Sequence, residues 1–146
     1  MLLPDDFKEF LKLLNAHEVQ YLLIGGYAVG YHGYPRTTND IDFWIAINPE
    51  NAGKIVNVLR EFGFDGNDLS DGLFLKEQTI IRLGMPPVRI EISTGISGVK
   101  FDECYPNREK AVLDGVDVAI IGKGDLIKNK KASGRLKDLA DLQQLT

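Results

Sequence analysis

The sequence predicts an α/β (α+β) fold, with a single mixed β-sheet flanked by helices, in one domain over residues 1–146. Three observations carry this expectation. Amphipathic helical stretches are interleaved with short apolar runs of strand length. Two turn signals, "GMPP" and Asp114-Gly115, link apolar runs into hairpins. No repeat, low-complexity linker or internal boundary interrupts the chain. Strands separated by helices can pair in parallel, whereas hairpin partners are antiparallel, so one mixed sheet accommodates both.

The elements follow in order. Phe7, Phe10, Leu11 and Leu14 recur at i, i+3, i+4 and i+7, and Asp5 and Asp6 sit where a helix dipole favours negative charge. "VQYLLI" (Val19 to Ile24), closed by Gly25-Gly26, predicts a buried strand, and a short helix is expected from there to about Gly33. "RTT" is a loop, and "DIDFWIAI" is a second strand. Asn48-Pro49 predicts an N-cap with proline at the first helical position, Ala52, Ile55, Val56, Leu59 and Phe62 an apolar face, and Gly63 a stop. After the polar stretch "FDGNDLSDG", strands are expected at Leu73–Leu75, Thr79–Leu83 and Val88–Ile92, the last two as a hairpin. "FDECYPNREK" predicts a short helix or irregular connection. "AVLDGVDVAII" is a hairpin around Asp-Gly, and the tail gives two helices divided near Ser133-Gly134.

Composition narrows the function classes. A chain of 146 residues buries roughly 70% of its unfolded surface, enough for a full core. The net charge of −4 argues against broad nonspecific affinity for nucleic acid or membranes, though not against a local basic patch. Cys104 is the single cysteine, so neither an intramolecular disulfide nor a thiolate zinc cluster can form. "MLLPDDFKEF" lacks the pattern of a signal peptide, and no apolar run reaches membrane-spanning length. A cytoplasmic protein without a membrane partner is expected.

The glycines fit neither common nucleotide fingerprint. Tyr27 follows Gly25-Gly26, which breaks G-x-G-x-x-G, and Tyr31-His32 follow Gly30 where a P-loop needs Lys and Ser/Thr. A strand, a glycine turn and a helix N-terminus remain. Such a terminus can offer backbone N–H groups to phosphate, or the glycines can simply make a tight turn. Asp40 and Asp42, at i and i+2 of a strand, project from one face while Ile41, Phe43 and Ile45 face a core. Neighbouring carboxylates repel, and a hard cation removes that cost; Mg²⁺ takes one or two protein carboxylates plus phosphate oxygens and water. Taken singly, Asp40 could cap a turn and Asp42 be solvated.

Together, "GGYAVGYHGYPRTTNDIDFWI", with its Gly-Gly and Thr38-x-Asp40-Ile41-Asp42, resembles the nucleotidyltransferase superfamily of the DNA polymerase β-like fold. The resemblance implies a third carboxylate on a later strand, and "VRIEIS" supplies Glu91; its alternative is an exposed residue paired with Arg89 or Arg82. "KNKKASGRLKDLADL" is similar to a segment of small nucleotidyltransferase-like proteins, including the toxin-like branch of abortive-infection systems. The counterparts are Lys130 or Lys131, Arg135, Lys137, Asp138 and Asp141. Two features depart from the pattern. Gly26 stands where the Gly-Ser form has serine, so backbone N–H groups must serve the phosphate, and Glu91 is one methylene longer than the commoner Asp.

The resemblance implies transfer of a nucleoside monophosphate from a nucleoside triphosphate to an acceptor hydroxyl on an RNA end, a protein or a small molecule. Asp40, Asp42 and Glu91 would be the catalytic and metal-binding residues for Mg²⁺ or Mn²⁺. Gly25, Gly26, Arg36, Thr38, Lys130 and Arg135 would bind the nucleotide, Arg135 by a bidentate contact. Arg36 can equally pair with an aspartate. The alternatives are a catalytically silent nucleotide-binding module, or a partner protein of a toxin–antitoxin pair, on the same fold, and a structural domain with an acidic surface. Trp44 is expected to wall a base pocket or pack in the core. Tyr27, Tyr31 and Tyr34 are expected in helix packing unless one stacks on a base. Cys104 is expected to pack, and His32 to lie at the surface or in a loop.

Overall fold

Four short strands in the first two-thirds of the chain and one hairpin near its end assemble into one six-stranded sheet. The computed structural model describes residues 2–33, 40–64, 66–85 and 88–146. Its strands are β1 (Tyr21–Ile24), β2 (Asp40–Ile45), β3 (Ile80–Met85), β4 (Val88–Ser93), β5 (Glu109–Leu113) and β6 (Val116–Ile120), in the spatial order β3-β4-β2-β1-β6-β5. The sheet is mixed. β1 runs antiparallel to β2 and parallel to β6, β2 runs parallel to β4, and the β3–β4 and β5–β6 pairs are antiparallel.

Six α-helices are formed among the described residues: α1 (Asp5–Ala16), α2 (Gly25–His32), α3 (Pro49–Phe62), α4 (Phe101–Cys104), α5 (Lys123–Ser133) and α6 (Leu136–Leu145). The expected face of α1 is buried, and Phe10 packs on Phe43 of β2 at 5.6 Å between ring centroids. In α3, Asn48 Oδ1 accepts from Asn51 N–H at 2.8 Å, Pro49 opens the helix, and Gly63 closes it at φ 116°. Asn51 is itself buried. Its amide receives Gln20 N–H and donates to the carbonyls of Gln20 and Ala46, tying the start of α3 to the ends of β1 and β2. The β5–β6 hairpin turns on Asp114 (φ 49°) and Gly115 (φ 78°), the doubly positive pair a type I′ turn requires.

One expectation fails. Leu73–Leu75 is not a strand: Asp71–Phe74 forms a 3₁₀ helix. Only Phe74 of this stretch is fully buried, while Leu75 is exposed, so the chain inserts one ring into the core without building a ladder. The "GMPP" turn falls on Pro86 and Pro87, outside the described residues, but the β3–β4 register on either side of it is the expected hairpin. None of the described helices is long and apolar enough to cross a membrane.

Candidate active site

The period-two pattern of β2 does what the sequence implies. Ile41, Phe43 and Ile45 are fully buried on one side, and Asp40 and Asp42 emerge half-buried on the other. Residues paired across a sheet share a face, so register decides what meets them. Asp42 lies opposite Ile24 of β1 and Glu91 of β4, and Glu91 lies opposite Arg82 of β3. Asp40 lies opposite Arg89. Neighbouring strands are about 4.8 Å apart. The three expected carboxylates therefore lie on one face of two adjacent strands, in the lining of a cleft of about 750 Å³.

Electrostatics mark Asp42 as the strained member. Burial, then the charges of Glu91 and Asp40, push its pKa up from 3.8 to about 6, against the opposing fields of Lys137 and Lys130. Its neighbours have arginine partners: Arg89 Nη2 donates to Asp40 Oδ2 at 2.8 Å, and Arg82 Nε to Glu91 Oε2 at 3.3 Å. With two carboxylates drawn toward guanidiniums, no three acidic, histidine or cysteine side chains among the described residues are gathered closely enough to hold a cation as they stand. The donor chemistry is nonetheless the kind a hard cation takes: carboxylate oxygens on one sheet face, with Asp42 carrying a penalty that Lys137 and Lys130 only partly offset and a cation would relieve.

The glycine turn forms the adjoining wall. Ile24 ends β1 in extended conformation and α2 begins at once, so the first backbone N–H groups of α2 open beside the carboxylates. Gly25 has φ 69°, and a Cβ there would overlap Asp42 Oδ2. Only glycine meets both demands.

The opposite wall comes from α5 and α6. Gly134, at φ 65°, terminates α5 and reverses the chain into α6. The buried Lys130 ammonium bridges Asp138 at 3.1 Å and Asp141 at 3.2 Å, and Arg135 Nε donates to Asp138 at 2.9 Å. Burial alone would raise the pKa of Asp138. Hydrogen bonds from Arg135, Ser133 and Lys130 outweigh it and hold the carboxyl well below the usual range. Lys130 thus lines the cleft with its charge committed to the α5–α6 junction, whereas Arg135 keeps an exposed guanidinium at the rim.

Of the expected site residues, Gly25, Gly26, Asp40, Asp42, Glu91, Lys130 and Arg135 all line this one cleft. Arg36 and Thr38 lie outside the described residues. Arg82, Arg89, Ser93, Ser97 and Asn129 line it as well without having been expected as site residues, and so does Lys137, which was expected only as a counterpart within the basic C-terminal segment. For Lys137 the signal was the basic tail; for the arginines it was their place on the strand of Glu91 and on its hairpin partner. Trp44 is buried, edge-on to Phe101 at 5.2 Å, so packing is its role. Tyr27 packs edge-on to Phe7, and Tyr31 is exposed. Cys104 is buried, and burial pushes its thiol up to about 12. His32 Nε2 lies 2.6 Å from the Ile121 carbonyl oxygen, tying α2 to the end of β6.

No family profile and no curated protein matches the sequence. Solved structures do match. A Thermotoga maritima protein with a provisional nucleotidyltransferase assignment aligns with a TM-score of 0.62 at 15% identity, over 94% of this chain and 88% of its own. The antibiotic-resistance factor ANT(2'')-Ia aligns at 0.60 and 12%, over 96% and 80%. The lincosamide antibiotic adenylyltransferase LnuA aligns at 0.59 and 15%, over 99% and 96%. At such identities the likeness is one of fold, and the chain shares the fold of these three structures.

Proposed function

We propose that the protein, as one nucleotidyltransferase-like unit over residues 1–146, transfers a nucleoside monophosphate from a nucleoside triphosphate to an acceptor hydroxyl. The observation that carries this reading is the register that sets Glu91 beside Asp42, with Gly25-Gly26 against them and basic residues opposite. Asp40, Asp42 and Glu91 would hold Mg²⁺ or Mn²⁺. The ion would lower the pKa of the acceptor hydroxyl and offset charge on the phosphates. The α2 N–H groups at Gly25-Gly26 bind phosphate oxygens, and Arg135 and Lys137 face the triphosphate from the other wall. The acceptor hydroxyl gives up its proton to water as its oxygen forms a bond to the α-phosphorus and the bond to pyrophosphate breaks.

Among acceptor classes, a small-molecule hydroxyl has support from the neighbours: LnuA holds lincomycin and ANT(2'')-Ia holds adenylyl-2''-tobramycin. RNA ends and protein hydroxyls remain part of the test. Incubation with α-labelled nucleoside triphosphates, Mg²⁺ and each acceptor class should label one of them, and Asp42→Asn should abolish labelling. Undiminished labelling by Asp42→Asn would sink the assignment. A second reading is favoured by the arginine pairs on Asp40 and Glu91: a silent nucleotide-binding module, alone or as one partner of a toxin–antitoxin pair. Calorimetric nucleotide binding without transfer to any acceptor would select it.

A further inference from the structure

Two guanidiniums already occupy the carboxylates that a cation would need. Arg89 holds Asp40 and Arg82 holds Glu91, each in register across one strand pair of the same sheet face. Each guanidinium claims one oxygen of its carboxylate and draws the group toward itself, so a cation that needs those oxygens has to compete with it. The arginines are suited to yield. Arg82 comes from β3 at the sheet edge, and its side chain is 55% exposed. Arg89 reaches Asp40 through Nη2 only, while its Nε–H is buried without a partner among the described residues. Such a donor is better satisfied by a second acceptor, and a guanidinium fork matches a phosphate bidentately. Both arginines line the cleft, so a displaced side chain remains where phosphate oxygens would lie.

We propose that Arg82 and Arg89 are resident counter-ions of this cleft: a divalent cation takes Glu91 and Asp40 from them, and the freed guanidiniums close on the phosphates of the nucleotide. The proposal rests on the nucleotidyltransferase reading above and adds to it a coupling between cation and phosphate. The arginines oppose the cation when it binds alone and favour it when phosphate is present, so each ligand should strengthen binding of the other.

Binding of Mn²⁺ alone, followed through the resonance of the free ion, tests the first half. Arg82→Gln/Arg89→Gln should bind Mn²⁺ about 3- to 20-fold more tightly than wild type, the range expected for releasing two partly exposed pairs. Lys137→Gln removes a cleft charge without freeing a carboxylate and should change it less. Arg82→Gln alone, at an exposed edge position, should show part of the gain and serves if the double variant does not fold. With pyrophosphate present, the double variant should instead bind Mn²⁺ and pyrophosphate about 10-fold more weakly than wild type. An Mn²⁺ affinity equal to wild type, or no greater than that of Lys137→Gln, would overturn the exchange. An unchanged pyrophosphate affinity would overturn the closure. If Mn²⁺ binds wild type and double variant alike but is lost in Asp42→Asn, the metal site stands and only the exchange fails. If no variant binds Mn²⁺, with or without pyrophosphate, the metal site itself fails.

Discussion

Gly25 stands where backbone and site make separate demands. Its φ of 69° disfavours any side chain, and its Cα faces Asp42 so closely that a methyl group would displace the carboxylate. Gly25→Ala should therefore cost about 1–3 kcal/mol in urea unfolding and weaken Mn²⁺ and nucleotide binding together. Asp42 makes the complementary case. Its folded pKa of about 6 exceeds the reference 3.8, so ionisation disfavours the fold. The stability tied to the neutral form is complete below about pH 4 and lost as pH rises through about 6. Asp42→Asn should thus unfold like wild type at low pH but be more stable by about 1–3 kcal/mol at pH 8, while losing label transfer. Equal stability at pH 8 would contradict the burial argument. The acidic pair was legible because strand period two is local. That Glu91 joins it depends on a parallel pairing between strands far apart in sequence, which the resemblance supplied and periodicity did not.

At the scale of elements, the wall opposite the glycines depends on one inward-facing charge cluster. Lys130 of α5 is buried against Asp138 and Asp141 of α6, each side chain at most 7% exposed. Lys130→Met keeps the length but removes the ammonium that bridges two buried carboxylates, leaving Asp138 to Arg135, which should cost about 3–5 kcal/mol in urea unfolding. A smaller loss, with α6 equally protected from hydrogen exchange, would show that apolar contacts hold the helix. The sequence marked Lys130 as a phosphate ligand because its basic neighbours read as one field. Burial separates it from them, and burial is set by how α6 folds back after Gly134. The helix and hairpin signals that succeeded were all local: the Asn48-Pro49 start, the Gly63 stop and the Asp114-Gly115 turn. Leu73–Leu75 misled because three apolar residues do not distinguish a strand from a turn that buries a single phenylalanine.

For the whole molecule, the notable property is an uneven charge distribution. The chain carries a net charge of −4, yet the cleft presents Arg82, Arg89, Arg135 and Lys137 around its carboxylates. The body should repel polyanions while the cleft attracts a small anion that brings its own cation. Arg135 and Lys137 can be removed with little structural cost, because both are exposed at the rim and the Arg135 pair with Asp138 is backed by Lys130. Arg135→Gln/Lys137→Gln should lower the affinity for pyrophosphate with Mn²⁺ by about 3- to 20-fold, as expected for two solvent-screened contacts. Because those contacts are screened, added salt should weaken wild-type binding, and the double variant should depend on salt less steeply. Calorimetry across a salt series checks both slopes, with thermal melts to confirm equal folding. Parallel slopes and equal affinities would mean that the basic rim does not touch the phosphates, leaving the α2 N–H groups and the carboxylate-bound cation to hold them alone.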